Sequence, residues 1–284
     1  MSRLKSSIEC TIAITMKNKT VLITGSTDGI GKETALQLAQ LGATVIVHGR
    51  NAERCQAACD DIRQATGNPN VDFVVADLSS QKQVRQLATD VLARTDRLHV
   101  LINNAGVILL QRQLTEDGVE MTLAINHLAP FLLTNLLLDR LKASAPARIV
   151  NVSSTVHYDA ALKLDDLQSE RKYNGINAYK QSKLGNVLFT FELAERLKGS
   201  GVTVNCLHPG IVATKLLDTG WGWSNGLSSA QGAALSVYLA SSPAVETMTG
   251  KHFEGTSPGG ASPKANDVKL RRQLWDISAQ LTGL

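Results

Sequence analysis

Cysteine is scarce in this 284-residue chain, which holds four: Cys10, Cys55, Cys59 and Cys206. Cys55 and Cys59 stand four apart on a predicted helix, with no histidine partner near them in sequence. That argues against a disulfide scaffold or a cysteine metal site and fits a reducing, cytoplasmic setting. Charge of one sign is also in short supply, since 29 basic residues against 25 acidic leave a net +4. The basic residues are scattered. The densest group, Lys269-Leu270-Arg271-Arg272, reads as a solvated helix face rather than a nucleic-acid footprint. No apolar run approaches the ~20 residues that cross a bilayer, so no integral membrane segment is expected. The first fifteen residues carry only a short apolar patch from Cys10 to Thr15 and lack a secretory h-region and cleavage site. They read as a loosely ordered extension, 1–15, before a domain over 16–284. His127, His157 and His208 have no carboxylate or cysteine at supporting spacing, so no catalytic metal is expected.

What is present is a regular alternation. Apolar residues make up 43% of the chain, enough for a sizeable core, and the length suits one larger α/β domain. Strands are predicted over 20–24, 44–48, 71–76, 98–102, 147–152 and 202–207, with a seventh near 251–253. Helices are predicted over 29–41, 51–65, 80–95, 115–142, 175–199, 228–241 and 267–282. That order implies a doubly wound parallel sheet of seven strands with helices on both faces, of the Rossmann type, with right-handed crossovers.

The run Thr20-Val21-Leu22-Ile23-Thr24 enters Gly25-Ser26-Thr27-Asp28-Gly29-Ile30-Gly31, and a helical pattern follows. Strand, glycine-rich turn and helix form a dinucleotide-binding unit. Gly25 permits the tight turn, Gly29 leaves room for a pyrophosphate, and Gly31 lets the helix pack close to the strand. The helix N-terminus then presents free N–H groups to the anion. The second strand ends at His48-Gly49-Arg50-Asn51, with no acid to take the ribose hydroxyls of NAD. Arg50 stands there instead, and a guanidinium suits a 2′-phosphate, which points to NADP(H). Ser26 is expected to donate a second hydrogen bond to that phosphate, and Asp28 to face solvent.

Tyr179 and Lys183 lie four apart, on one face of a helix. A phenol ionises near pH ~10. A neighbouring ammonium favours the phenolate, so the pair is suited to moving a proton on or off an alcohol oxygen. In folds of this type ligands sit at the C-terminal ends of the strands. Gly25, Asp77, Asn103, Ser154 and Pro209 each follow a different predicted strand, and so converge on one edge.

With these residues the chain resembles the short-chain dehydrogenase/reductase family over nearly its whole length. The landmarks are Thr24-Gly25-x-x-x-Gly29-x-Gly31, Asn103-Asn104-Ala105-Gly106, Asn126, Ser153-Ser154, Tyr179-x-x-x-Lys183 and Pro209-Gly210. The strings Gly31-Lys32-Glu33-Thr34-Ala35, Asn126-His127-Leu128, Val150-Asn151-Val152-Ser153-Ser154 and Leu274-Trp275 point to the retinol dehydrogenase-like branch. The long Ser154-to-Tyr179 spacing fits that branch; the reading of residues 1–15 as an extension without a membrane anchor is an expectation that departs from the branch's membrane-anchored members.

The resemblance implies an NADP(H)-dependent oxidoreductase acting on the carbonyl or alcohol of an apolar substrate, whether aldehyde, ketone, retinal-like or steroid-like. It selects Ser154 over Ser153 as substrate partner and gives Asn126 a water-holding role in a proton relay to Lys183. Asn126, Ser154, Tyr179 and Lys183 are thus the expected catalytic set. Expected cofactor contacts are Gly25, Ser26, Thr27, Asp28, Gly29, Ile30, Gly31, Arg50, Asn51, Asp77, Leu78, Asn104, Ala105, Gly106, Tyr179, Lys183, Pro209, Gly210, Val212 and Thr214. Asp77 is read either as an adenine ligand or as the N-cap of helix 80–95. Residues 209–228 read as a flexible apolar lid. Trp221 and Trp223 within it are expected at the substrate or at a subunit contact, and His157 at the substrate or as a loop residue at the pocket rim. A homo-oligomer, dimer or tetramer, is expected. The rival from another class is a non-catalytic NADP(H) sensor with the same fold.

Overall fold

A computed structural model describes residues 14–284. The extension foreseen over 1–15, and Cys10 within it, lies outside the described residues except for Ile14 and Thr15. The remaining three cysteines are buried free thiols.

Among the described residues, β-branched and aliphatic runs give β1 (Thr20–Ile23), β2 (Thr44–Gly49), β3 (Val71–Val75), β4 (Val100–Asn103), β5 (Ala147–Val152), β6 (Val202–Leu207), β7 (Lys251–Phe253) and β8 (Pro258–Gly259). They form one sheet in the order β3-β2-β1-β4-β5-β6-β7-β8, parallel throughout except for the terminal β7–β8 pair. The eighth strand is the departure from seven. It is two residues long and pairs His252 with Gly259 and Phe253 with Pro258, too little to register as a pattern. The strand order reverses between β1 and β4, and there the crevice for a ligand opens.

The helices are α1 (Gly29–Gln40), α2 (Ala52–Thr66), α3 (Gln81–Arg94), α4 (Met121–Leu123), α5 (Ala129–Ala143), α6 (Gly175–Arg196), α7 (Lys215–Trp221), α8 (Ser229–Ser241) and α9 (Val268–Thr282). One core cluster includes Leu22, Val84, Phe131 and Leu193, and a second includes Val21, Leu38, Ile62 and Leu239, so both faces of the sheet are covered. The helix foreseen over 115–142 starts later. Leu114 bridges Glu120 across a turn with Gly118 at φ 74°, and the Glu120 carboxylate accepts from the Thr122 and Leu123 N–H groups at 2.9 and 2.7 Å. Met121–Ala143 is long and apolar enough to match a membrane span by composition, although Asn126 and His127 interrupt its apolar run. Its most apolar stretch is 72% buried inside the fold. A core helix accounts for that profile.

Between α4 and α5, Ala124–Leu128 winds as a π-helical segment containing Asn126. A poor helix former at a local widening of the helix is a common mark of a functional site. The other departure is α7. Thr214 accepts from the Leu217 N–H, and Gly222 closes the helix at φ 65°, so part of the expected flexible lid is helical.

Candidate active site

The glycine turn is shaped by contacts only glycine permits. A Cβ on Gly31 would lie 2.2 Å from the Gly25 carbonyl oxygen, and Gly25 itself adopts φ 64°. Asn104 seals the turn from the β4 side, its amide donating to the Thr24 and Gly25 carbonyls at 2.9 and 3.1 Å. On the other side His48 accepts the Gly25 N–H on Nδ1 at 3.1 Å and meets the Ala76 carbonyl through Nε2 at 3.2 Å. Burial lowers the His48 pKa to about 4, which keeps the ring neutral as those two bonds require.

A cavity of about 730 Å³ opens above this turn. Of the expected contacts, Gly25, Thr27, Asp28, Gly29, Ile30, Gly31, Arg50, Asp77, Leu78, Asn104, Ala105 and Gly106 line it. Ser154, Tyr179, Lys183, Pro209, Gly210, Val212, Thr214, Trp221 and Trp223 complete the predicted part of its wall. Four predicted residues stand elsewhere. Ser26 is wholly buried; its hydroxyl donates to the Ile23 carbonyl at 2.7 Å and accepts the His48 N–H at 2.9 Å, so it cannot serve a phosphate. Asn51 is spent as the α2 N-cap, accepting the Arg54 N–H at 2.8 Å. Asn126 lies behind Gly106. Its Oδ1 accepts from the Val107 N–H at 2.8 Å, and its amide donates to the Val107 carbonyl and the Ser182 hydroxyl at 2.9 and 3.0 Å. His157 is fully buried beneath the site rather than at its rim.

The α3 cap is Ser80, not Asp77. Asp77 Oδ1 accepts from the Ser79 N–H at 2.9 Å, and the side chain borders the cavity. Asp28 is exposed, as expected, and it also borders the cavity. It caps α1 through the Gly29 N–H and is paired with Lys215 at 2.9 Å and Arg54 at 3.4 Å. Its hydrogen bond to Lys215 holds its carboxyl below the usual range, so it stays ionised and matched by two cations. Arg54 and Lys215 were not foreseen. The signal available for Arg54 was its place one helical turn beyond Arg50; for Lys215 no pattern in the chain set it apart.

At the other end of the cavity, α6 brings Tyr179 and Lys183 to the end of β5. Lys183 Nζ donates to the Val152 carbonyl at 2.9 Å and lies 5.5 Å from the Tyr179 ring centroid. Both side chains are buried, with 5% and 3% exposure. Here the expectation of a lowered tyrosine pKa is corrected. Burial dominates and pushes the phenol up, with the nearby Ser154 hydroxyl working the other way. The ammonium is directed at a backbone carbonyl and the ring, and burial brings its own pKa down to about 8. Side-chain alternation separates the serine pair. Ser153 donates to the Lys183 carbonyl at 2.9 Å, whereas Ser154 is the phenol's neighbour. Trp221 packs edge-on to Tyr179 with ring centroids 5.9 Å apart, and Leu216 and Leu217 extend the apolar wall. No group of three or more metal-ligating side chains gathers among the described residues.

Residues 19–223 match the family model described as short chain dehydrogenase. The chain is 46% identical to human retinol dehydrogenase 13 over 97% of its own length and 88% of that protein's. It is 43% identical to human retinol dehydrogenase 11, with 99% and 91% covered. Among solved structures, an uncharacterized protein from Mycobacterium paratuberculosis superposes with TM-score 0.81 at 35% identity, covering 95% of each chain. The Pseudomonas aeruginosa RhlG/NADP active-site complex superposes with TM-score 0.70 at 25% identity, covering 84% of this chain and 95% of that one.

Proposed function

The chain belongs to the short-chain dehydrogenase family, and on that footing we propose an NADP(H)-dependent oxidoreductase acting on the carbonyl or alcohol of an apolar substrate. The observation that carries this reading is the meeting of Ser154, Tyr179 and Lys183 at one end of a cavity whose other end is the glycine turn. The residues present suit a dinucleotide. Gly25 and Gly31 leave a cradle that a Cβ would fill, α1 points its N-terminus into it, and Arg50 offers a fork of donors for a 2′-phosphate. When bound, the nicotinamide supplies or accepts the hydride.

The protein's part is binding, orientation and one proton. Ser154 holds the substrate oxygen beside Tyr179. In reduction the Tyr179 hydroxyl gives its proton to that oxygen as the carbonyl becomes an alcohol; in oxidation the phenolate takes it back. The phenol carries its proton at neutral pH, the state from which reduction starts. Lys183 holds the ribose hydroxyls and places positive charge beside the ring. Asn126 braces the loop after β4 against α6 and supports that arrangement.

The wall of Leu216, Leu217, Trp221 and Trp223 favours an apolar substrate body with one oxygen, and the curated relatives named as retinol dehydrogenases agree with that class. The test is NADPH consumption with a panel of apolar aldehydes and ketones, retinal and steroids among them. NADPH binding with no turnover on any of them would favour the sensor instead.

A further inference from the structure

We propose that His157 is a positioning residue: a neutral, two-ended clamp that fixes Ser154 and so the presentation of the substrate oxygen to Tyr179. The proposal rests on the oxidoreductase reading for what Ser154 does. His157 is wholly buried. Its Nε2 lies 3.1 Å from the Ser262 backbone nitrogen, which can only donate, so Nε2 carries the lone pair. The ring proton is therefore on Nδ1, and it donates to the Ser154 carbonyl at 2.6 Å. Both ring nitrogens are used, and only one uncharged tautomer satisfies both bonds.

Ser154 is consequently held from two directions. Ser153 ties the preceding residue to the Lys183 carbonyl at 2.9 Å, and His157 grips the Ser154 carbonyl from below. Fixing that peptide plane fixes the direction of the Ser154 Cα–Cβ bond. The far end of the clamp is the loop after β8, itself fastened by His252 Nδ1 and the Tyr158 hydroxyl, which reach the Gly260 carbonyl at 2.8 and 2.7 Å. A loop remote in sequence thus sets the pose of the serine.

A second proton would place a donor on Nε2 facing the Ser262 N–H, and the clamp would open. The titratable groups facing His157 are Tyr158 on its own turn, His252 and Glu254 at β7, and His208 after β6. The ring centroids of Tyr158 and His252 lie 4.1 and 4.6 Å away. Burial, aided by His252, lowers the His157 pKa below its usual 6.5, against the pull of the Ser154 carbonyl and Glu254. The clamp therefore stays closed at neutral pH and opens only in acid.

Two variants separate its ends. In His157→Asn the amide nitrogen takes the place of Nδ1 and keeps the bond to Ser154. In His157→Gln the amide oxygen reaches the place of Nε2, keeping Ser262 and giving up the side-chain bond to Ser154, whose carbonyl then retains only the 3.2 Å bond from the backbone N–H of residue 157. We expect His157→Gln to lose kcat by about 10- to 100-fold, the scale of a small misplacement of reacting groups, with NADPH affinity unchanged. His157→Asn should keep kcat within about 3-fold, well short of that loss. Neither amide titrates, so the part of the acid limb of kcat due to His157 should vanish in His157→Asn. A wild-type kcat in His157→Gln, equal damage in both variants, or an unchanged acid limb in His157→Asn would overturn the proposal. Should neither variant fold, imidazole nitrogen NMR of the wild-type protein decides: the proton is expected on Nδ1 of a neutral ring at neutral pH. A proton on Nε2, or an imidazolium, would overturn the clamp. Absence of turnover in the wild-type protein would instead sink the oxidoreductase reading and leave the NMR measurement to judge the clamp.

Discussion

His48 Nδ1 accepts the N–H of Gly25 at 3.1 Å, so the bend of the nucleotide turn rests on an imidazole that has to stay neutral. His48 and His127 are both buried with pKa values brought down to about 4 by desolvation, against 6.5 for an exposed histidine. The unfolded chain therefore binds more protons than the fold between those values. Stability from this source is fully present above pH 6.5 and is lost as pH falls through about 4. Each histidine accounts for about 3 kcal/mol over that window. Urea unfolding as a function of pH should show midpoints falling steadily on acidification. Midpoints that hold constant or rise from pH 6.5 to 4 would contradict it.

Tyr179→Phe keeps the ring against Trp221 and removes only the hydroxyl. Turnover should fall by at least ~100-fold, the lower end of general acid–base catalysis. NADPH affinity should be nearly unchanged by direct titration, and thermal stability equal or slightly higher, because a buried phenol becomes a buried phenyl. Near-normal turnover would remove Tyr179 from the proton step.

Arg50 lines the cavity and is exposed. A charge-assisted contact from it to a 2′-phosphate is worth roughly 1.5–3 kcal/mol, or about 10- to 150-fold in affinity. Arg50→Ala should weaken NADPH by about that factor and leave NADH nearly untouched. The preference for NADPH should shrink as salt rises. Equal loss of both cofactors, measured as dissociation constants, would show that Arg50 does not read the phosphate.

Gly31→Ala would set a Cβ 2.2 Å from the Gly25 oxygen and 2.5 Å from the Asn104 amide. The oxygen is backbone, and the Asn104 amide is tied to the Thr24 and Gly25 carbonyls, so the turn itself has to move. NADPH binding should be lost in calorimetry even where circular dichroism still reports a folded protein.

Most of this was legible in the chain because strand and helix periods differ and glycine punctuates them. The seven strands, the glycine turn and the Tyr179–Lys183 helix followed from that. What was hidden depended on tertiary partners. Ser26 reads as a phosphate ligand until its hydroxyl is seen closed between Ile23 and His48. Asn51 is spent on a cap, and His157 faces inward because Ser262, far along the chain, supplies its second bond. The Lys215–Asp28 pair joins α7 to the glycine turn across 187 residues, a contact no local spacing encodes.

Lys183 offers the sharpest contrast between stability and function. Its ammonium is buried, with one hydrogen bond at 2.9 Å to Val152 and a pKa lowered to about 8 by desolvation alone. Below that pH the folded protein carries a desolvated charge that the unfolded chain keeps in water. The cost approaches about 3 kcal/mol, offset in part by the hydrogen bond. Lys183→Met keeps the packing and removes the charge, so the apoprotein should gain about 1–2 kcal/mol at neutral pH. The sign of the pH dependence follows. Between pH 8 and 10.5 the fold has released the lysine proton while the unfolded chain still holds it, so the wild-type protein stabilises as pH rises. The advantage of Lys183→Met should therefore narrow across that window. Turnover should be lost at every pH, and NADPH affinity should drop because the ribose loses its lysine, which distinguishes this variant from Tyr179→Phe. Denaturant midpoints for the two proteins at neutral pH and near pH 10 settle the matter: a variant less stable than wild type at neutral pH would mean that the Val152 hydrogen bond outweighs the desolvation of the charge.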